Sequence, residues 1–313
     1  MAETGSGADS APVFEAALPM AGRMASLTPL IRRRVAPNGG PFTGSGTCTY
    51  VVGHGRVAVI DPGPDDAAHV AALLADLGAE TVEAIVVTHT HRDHSPGARL
   101  LRARTGAPIV GCGPHRAARD LAAGEVAVLD AGADRLHVPD RAMREGDRLS
   151  GAGWSLVAIE TPGHTMNHLA FALPEENALF SGDHVMAWST SIVAPPDGAM
   201  RAYMASLDKL RGRSEGVYWP GHGGPVRDPR RYVRGLANHR RRRETSILAR
   251  IAAGDTTIPA IVAAIYQGLD PRLRGAAALS VFAHLEDLVE RGLVATEGGA
   301  RLDGVFGRAG TAG

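Results

Sequence analysis

The chain has 313 residues, of which 44% are hydrophobic and 21% charged, as expected for a globular protein with one large domain and a smaller one. Lys and Arg together number 33, and so do Asp and Glu, so the net charge of zero gives no global electrostatic argument for nucleic-acid binding. Aromatic residues make up only 4%, too few for a surface that relies on base stacking.

Signals for membranes or secretion are not found in the sequence. No run approaches the roughly 20 apolar residues that a membrane-spanning helix requires. The first 30 residues include acidic side chains and lack a continuous apolar stretch, so a secretory signal is not expected. Cys48 and Cys112 match no zinc or redox spacing, and we interpret them as small buried residues in a reducing compartment. We therefore predict a soluble, cytoplasmic protein with no membrane partner.

Composition and periodicity divide the chain into four parts. We predict a flexible N-terminus at 1–30, a large folded domain at 31–228, a smaller domain at 229–303 and a flexible tail at 304–313. In the large domain, strands and helices alternate, and hairpins begin each half, which indicates an α/β fold with two sheets covered by helices. The predicted strands are 31–35, 48–52, 56–60, 84–88, 108–112, 154–160, 168–173, 178–180 and 217–219, and the predicted helices are 65–77 and 200–210.

The densest group of metal-binding side chains follows the apolar strand 84–88. His89, His91, Asp93 and His94 lie within six residues, at a strand-to-helix turn, and imidazole and carboxylate are common metal donors. Residues 89, 91 and 93 share parity, so an extended chain places them on one face, and His94 lies on the other. His89 and His91 can therefore bind one metal, while a turn would direct Asp93 and His94 towards a second.

Each of these two metals needs further ligands, because three or more protein donors are usual. The sequence offers His164, Asp183 and His222, each of which follows a predicted strand and a glycine-containing turn. Side chains at the ends of such strands can line one edge of a pair of sheets. By contrast, His168 and His184 are interpreted as structural residues.

The complete motif, from His89-X-His91-X-Asp93-His94 through His164 and Asp183 to His222, resembles that of the metallo-β-lactamase-fold hydrolases. The resemblance covers about 31–228 and implies an αββα sandwich with a dinuclear site at one edge of the sheets. It implies that two divalent ions are bound, zinc by default, although a nitrogen and oxygen shell also suits iron or manganese. By this analogy the first metal is held by His89, His91 and His164, the second by Asp93, His94 and His222, and Asp183 bridges them.

The resemblance also implies a mechanism. A hydroxide held between two metals attacks a carbonyl or phosphoryl centre, and the catalytic carboxylates are then Asp93, which orients the nucleophile, and Asp183, which bridges. Asp61, at the end of the strand 56–60, is a candidate to hydrogen-bond a ligand histidine and fix its tautomer. The alternative is that Asp61 only begins a Pro-Gly turn.

The C-terminal part has helical patterns at 229–252, 257–267 and 276–291, followed by a predicted hairpin within 293–302. This order is that of a winged-helix domain. Together with Trp188-Ser189-Thr190 and Ala194-Pro195-Pro196-Asp197-Gly198, it is similar to the β-lactamase-like protein 2 family, whose winged helix follows the metal domain. That family includes single-stranded RNA endonucleases and thioesterases that release products from carrier proteins.

Two enzymatic hypotheses and one non-enzymatic hypothesis follow. The favoured one is a hydrolase of esters or thioesters on small or carrier-bound substrates. The second is a metal-dependent endoribonuclease, in which the run Arg240–Arg243 contacts phosphates, unless that run is simply a solvated helix face. The third is a winged-helix regulator that binds nucleic acid. The winged helix could equally cap the site or mediate dimerisation, and the sequence leaves the substrate, the native metal and the oligomeric state open.

Overall fold

The computed structural model describes residues 19–121 and 132–310. In this part of the chain two β-sheets pack face to face, and helices cover their outer faces, which confirms the αββα architecture. The first sheet has its seven strands in chain order: β1 (Met24–Ser26), β2 (Ile31–Val35), β3 (Cys48–Val52), β4 (Arg56–Ile60), β5 (Thr81–Val87), β6 (Ile109–Gly111) and β7 (Arg141–Ala142).

The second sheet has five strands in the spatial order 12-11-10-9-8. Its strands are β8 (Arg148–Gly151), β9 (Trp154–Glu160), β10 (Leu169–Leu173), β11 (Ala178–Gly182) and β12 (Val217–Pro220). Three helices connect the strands: α1 (Ala67–Leu77) follows β4, α2 (Gly97–Thr105) follows β5, and α3 (Met200–Arg211) lies between β11 and β12. The predicted elements are all present, with ends that differ by up to three residues.

Strand β10 illustrates how the layers are built. Successive side chains of a strand point to opposite faces, so Leu169, Phe171 and Leu173 enter the core between the two sheets. Ala170 and Ala172 point the other way, into a second core formed with α3 and with the helix that follows β12. Because both faces are buried, the strand reads as a continuous apolar run.

The directions of the strands determine where their ends meet. In the first sheet β4, β5 and β6 are parallel, and in the second sheet β11 and β12 are parallel. The two sheets also contact each other at these ends, because the Leu169 amide donates to Thr88 O at 2.8 Å and the Cys48 amide donates to Gly221 O at 2.7 Å. One edge of the sandwich therefore collects the turns that follow β4, β5, β11 and β12.

The C-terminal domain is built from three helices and a short hairpin, which confirms the predicted winged helix. Its elements are α4 (Pro229–Ala252), α5 (Ile258–Ile265), α6 (Arg274–Glu290), β13 (Val294–Thr296) and β14 (Phe306–Arg308). A third apolar cluster lies among them and includes Ile251, Phe282 and Phe306. None of the described helices is long and apolar enough to cross a membrane.

The predicted flexible ends require two corrections. Within 1–30, β1 forms a strand that pairs with β2 from Met24 to Ser26, while residues 1–18 lie outside the described part. Within 304–313, β14 is the partner of β13, so the hairpin predicted within 293–302 was wrong in the position of its second strand. Phe306 explains the difference, because its side chain is fully buried in the C-terminal core and anchors β14.

Candidate metal centre

Seven predicted ligands lie together at the edge of the sandwich where the two sheets meet. Four of them follow β5, and the others follow β9, β11 and β12, so each is delivered by the end of a strand. Their donor atoms form two groups. The first group contains His89, His91, His164 and Asp183; the second contains Asp93, His94 and His222, with Asp183 adjacent.

In the first group the imidazole nitrogens converge. His91 Nδ1 lies 3.1 Å from His89 Nε2 and 2.9 Å from His164 Nε2. Asp183 Oδ2 lies 3.6 Å from His164 Nε2. Ligand atoms on a tetrahedral ion with bonds of about 2.0–2.1 Å are separated by about 3.3–3.4 Å, so the spacing suits one metal ion.

The second group has similar dimensions. Asp93 Oδ2 lies 3.1 Å from His222 Nε2 and 3.3 Å from His94 Nε2, and these two nitrogens are 3.2 Å apart. Asp183 approaches this group as well, since its Oδ2 is 3.3 Å from His222 Nε2 and its Oδ1 is 3.5 Å from His94 Nε2. Asp183 therefore lies between the two groups, where a bridging ligand would be required.

Hydrogen bonds fix which nitrogen of each imidazole faces the centre. His164 Nδ1–H donates to Ile192 O at 2.6 Å, and His222 Nδ1–H donates to Gly46 O at 3.2 Å. His94 Nδ1–H donates to Asp61 Oδ2 at 3.0 Å. The Nε2 atom of each residue is thereby directed at the other donors of its own group, His94 and His222 at each other and His164 at His91. A cation within each group would stabilise this arrangement. The donor set and its geometry thus fit divalent metal ions.

Asp61 orients one histidine in each group. Besides His94, it accepts the Thr88 hydroxyl at 2.7 Å, and Thr88 Oγ1 in turn accepts His89 Nδ1–H at 2.9 Å. The Thr88 amide donates to the other carboxylate oxygen at 2.8 Å. Asp61 adopts a positive φ of 48°, a conformation that is uncommon for residues other than glycine. The carboxylate is therefore a buried acceptor behind the candidate ligands and not simply part of a turn.

Charge differs between the two groups. Burial disfavours the charged imidazole and lowers the pKa of His89, His91 and His164, that of His91 to about 3. Burial acts in the same direction on His94 and His222, but the carboxylates of Asp93 and Asp183 outweigh it. They raise the pKa of His94 well above its usual value and that of His222 to about 10. The first group thus presents neutral nitrogens, whereas a metal ion at the second group would have to compete with protons.

Glycine before a ligand is a steric requirement at two of these turns. A Cβ on Gly221 would overlap with Asp183 Oδ1 and come within 2.6 Å of His94 Cε1. A Cβ on Gly182 would lie 2.5 Å from His168 Nε2, and Gly182 also has a φ of +49°. Gly221 thus lets the turn after β12 approach Asp183 and His94, and Gly182 lets β11 approach the ring of His168.

Some residues that surround the ligands were missed by sequence reasoning. His168 accepts the Asp183 amide proton on Nε2 at 3.1 Å, while its Nδ1–H donates to Thr161 Oγ1 at 2.8 Å, so this buried histidine positions the bridging candidate. Thr47 Oγ1 donates to Asp93 Oδ2 at 3.2 Å and is itself held by Asn38 at 2.9 Å. Neither contact has a local sequence signal, because both partners come from distant turns.

His184, which follows the bridging candidate, does not contribute to the two ligand groups. Its ring packs against Tyr203, with centroids 4.4 Å apart, and against His168 at 5.8 Å. Burial lowers its pKa to about 3. His184 is therefore a neutral core residue beneath the metal centre.

The arginine run of α4 is divided between interior and surface. Arg240 is buried, with 3% of its surface exposed, while Arg241 and Arg242 are exposed. Arg243 is half-buried and lies over the ring of Tyr266, with 4.1 Å from the guanidinium carbon to the ring centroid. The alternative interpretation of the run as a solvated helix face therefore holds for Arg241 and Arg242 but not for Arg240, which points into the protein.

The fold and the His/Asp centre at its edge define a protein of the metallo-hydrolase class. Within that class, the chain belongs to the metallo-beta-lactamase superfamily, since the model of that family matches residues 41–222. A beta-lactamase associated winged helix domain matches residues 257–301. These matches agree with the domain order in the structure.

Individual relatives cover most of the chain. A "Beta-lactamase-like protein 2 homolog" of Caenorhabditis elegans is 31% identical over 230 residues, which is 71% of each protein. An "Atrochrysone carboxyl ACP thioesterase" of Aspergillus terreus is 29% identical over 278 residues, 82% of this chain and 78% of the relative. A metallo-beta-lactamase family protein of Thermus thermophilus is 26% identical in its crystal structure, with a TM-score of 0.74 over 90% of this chain and 100% of that one.

Proposed function

We propose that the protein is a metal-dependent hydrolase that cleaves the carbonyl of an ester or thioester on a small or carrier-bound substrate. The observation that carries this proposal is the convergence of seven donor groups into two adjacent sets that share Asp183. The relative that is named an acyl-carrier-protein thioesterase supports the choice of a thioester. Zinc is the proposed metal, although iron or manganese also suits a shell of nitrogen and oxygen donors.

In the proposed hydrolysis, the ligands and Asp61 would have separate roles. Two divalent ions, when bound, would lower the pKa of a water held near them and polarise the substrate carbonyl. Asp183 would hold both ions at a fixed separation, and Asp93 would bind one ion and orient the attacking water. Asp61 keeps a proton on His94 Nδ1, so that Nε2 stays directed at the metal.

Differences in exposure indicate where a substrate would enter. The side chain of Asp93 is 25% exposed, whereas those of His94 and His222 are 0% and 1% exposed. His91 is likewise only partly buried. Water and substrate would therefore approach along the His91 and Asp93 side of the centre, and Asp93 would then lie next to the reacting carbonyl.

Cleavage of single-stranded RNA is the alternative activity. It would use the same centre on a phosphoryl group, with the arginine run supplying phosphate contacts. Two observations weaken this assignment: Arg240 is buried, and Arg243 lies over Tyr266. Only Arg241 and Arg242 of the run remain exposed. We therefore favour the acyl substrate.

One experiment separates these activities. Metal-loaded protein is incubated with a panel of acyl-coenzyme A and carrier-bound thioesters, monitored by thiol release, and in parallel with labelled single-stranded RNA. Metal-dependent thiol release without RNA cleavage is expected. RNA cleavage without thiol release would reverse the assignment, and RNA binding without any hydrolysis would favour a regulator.

Two variants calibrate that experiment. Asp183→Asn retains the side-chain shape but removes the bridging charge, so metal content should fall and the rate should drop more than about 100-fold, about 3 kcal/mol in the barrier. His54→Ala is the matched control, because His54 lies at the tip of the β3–β4 hairpin with 59% of its side chain exposed. Normal metal content and rate in Asp183→Asn would contradict the proposed bridging role.

A further inference from the structure

Arg240 makes contacts that connect the C-terminal domain to the metal centre. Its Nη2 donates to Ser191 O, and its Nη1 donates to Ser280 Oγ of α6 at 3.2 Å. The guanidinium also lies over the ring of Tyr203, with 5.2 Å from its carbon to the centroid. One buried cation on α4 therefore contacts α3, α6 and the loop 184–199.

The contact at Ser191 is directly beside the backbone that orients a ligand. Ile192, the next residue, accepts His164 Nδ1–H on its carbonyl at 2.6 Å. The Ser191 hydroxyl donates to His184 O at 2.9 Å, which ties the loop to the residue after Asp183. Because the two carbonyls belong to adjacent peptide units, a shift of the Ser191 carbonyl moves the acceptor of His164 as well.

The environment of Arg240 is unusual for a purely structural arginine. Within the part of the chain that the structure describes, its guanidinium donates to Ser280 Oγ and Ser191 O, and no carboxylate forms an ion pair with it. A buried charge without a counter-ion is costly, and an apolar side chain of similar size would fill the space at lower cost. Its partners are instead a hydroxyl, an aromatic face and the carbonyl of the loop, so the charge is used to hold that loop.

We propose that Arg240 is a positioning residue for the first metal group, acting through the Ser191–Ile192 peptide on His164. By this route the C-terminal domain influences metal binding at the first group, which contains His164, and not at the second group, which does not. The inference rests on the metal centre of the proposed function and is independent of the substrate.

The test separates the two groups by metal titration. In a His222→Ala background the first group is the main remaining metal site. In a His91→Ala background the second group is the main remaining metal site. Arg240→Met should weaken Zn²⁺ binding at least about 10-fold in the first background, measured by competition with a chromophoric chelator, because ligand-orienting partners contribute at this level. In the second background Arg240→Met should leave the affinity unchanged. Equal losses in both backgrounds, or none in either, would overturn the proposal.

Matched variants distinguish positioning from general packing. Arg241→Met, on the exposed side of the same run, should retain wild-type affinity, and Arg240→Lys, which keeps a donor for Ser191 O, should recover most of the loss. With both groups intact, excess Zn²⁺ should restore the kcat of Arg240→Met, which a collapsed fold would not allow. The assignment would be overturned if Arg240→Lys did not recover Zn²⁺ affinity and excess Zn²⁺ did not restore the kcat of Arg240→Met.

A second variant covers the case in which Arg240→Met does not fold. Ser280→Ala removes only the contact that anchors Arg240 on α6, and should weaken the first group by about 3-fold while leaving the fold intact by circular dichroism. An unchanged affinity would count against the proposal. The wild type separates this failure from that of the proposed function: a wild-type chain that binds no metal refutes the centre itself, whereas a wild type with two ions and unchanged variants refutes only the role of Arg240.

Discussion

Asp61 gives a prediction at the scale of a single residue, because it is the common acceptor behind His94 and, through Thr88, His89. Asp61→Asn preserves the shape and the tolerance of positive φ, but it replaces an acceptor by an amide that donates. His94 then loses the acceptor of its Nδ1–H, and Thr88, which orients His89, loses the acceptor of its hydroxyl proton. Affinity for metal should fall by about 10–100-fold, measured by chelator competition. Asp65→Ala, at an exposed neighbouring position, is the control, and unchanged affinity in Asp61→Asn would contradict the role.

Gly221 gives a second prediction, which depends on steric contacts rather than on hydrogen bonds. Gly221→Ala adds a Cβ that would overlap with Asp183 Oδ1 and lie 2.6 Å from His94 Cε1. The ligands must move apart, so metal content should fall below that of the wild type, and stability should decrease by about 1–3 kcal/mol. Elemental analysis and thermal unfolding measure these two effects.

The control for Gly221→Ala is Gly275→Ala, near the start of α6. A Cβ on Gly275 would meet no atom within 4 Å, and alanine has the higher helix propensity. Gly275→Ala should therefore keep its metal and its stability. Full metal content together with wild-type unfolding in Gly221→Ala would show that the close approach of β12 to the ligands is not needed.

At the scale of elements, the strands that carry the ligands were predictable because each signal is local. His164, Asp183 and His222 each follow an apolar run and a glycine. The apolar run predicts the strand, and the glycine predicts the turn that ends it. The contact between Arg240 and Ser191 was not predictable, because its partners are 49 residues apart and meet only when α4 packs on the loop. β14 was missed for a different reason. It has only three residues, one of which is Gly307, so its sequence shows little of the alternation that predicts a strand.

The interface between α4 and α6 gives a prediction for pH. His284 is 1% exposed, and burial lowers its pKa to about 3. After burial, the groups that lower it most are basic: Arg240, Arg243, His239 and Arg291. Asp287, one turn further along α6, is paired with Arg201 and Arg291. Since an unfolded histidine has a pKa near 6.5, the unfolded chain binds a proton between about pH 3 and 6.5 that the folded chain does not. The free energy of unfolding therefore falls with acidification, by about 2 kcal/mol from this residue between pH 8 and pH 5.

Replacement of His284 tests this sign. His284→Leu removes the titrating group and also two buried ring nitrogens that have no hydrogen-bond partner among the described residues. The free energy of unfolding in urea should be measured at pH 8 and at pH 5. Its decrease between these pH values should be about 2 kcal/mol smaller in His284→Leu than in the wild type. A wild-type pH dependence in His284→Leu would mean that His284 is protonated in the folded protein.

For the whole molecule, α4 is a structural part of both domains. The family matches end at residue 222 and begin again at 257, so α4 lies between them. Its first half packs Val233 and Leu236 against α3 and the second sheet, whereas Ile247 and Ile251 belong to the C-terminal core. The predicted domain boundary between residues 228 and 229 therefore marks a change in sequence pattern only. The apolar core of the large domain extends past it into the first half of α4.

This continuity predicts that the metallo-beta-lactamase domain does not fold normally when the chain ends at residue 228. Loss of Val233 and Leu236 removes two buried side chains, each worth about 1.5–3 kcal/mol, and uncovers Leu207 and Leu210 of α3. Tyr232 also donates to Met186 O at 2.7 Å, so the loop after Asp183 loses a contact in addition to that with Arg240. The shortened chain should be largely insoluble, or should lack near-ultraviolet circular dichroism and bind less than one Zn²⁺ per chain.

The comparison needs a truncation that spares the shared helix. A chain that ends at residue 310 keeps α4, α6 and β14, and should match the full chain in solubility and metal content. A chain that ends at residue 255 keeps Val233, Leu236 and the Arg240 contact to Ser191, but loses Ser280, the partner of Arg240 on α6. It should fold with a lower unfolding temperature than the full chain and a weakened first metal group. If the chain ending at 228 instead unfolds cooperatively at the wild-type temperature with two ions bound, α4 is dispensable for the catalytic domain.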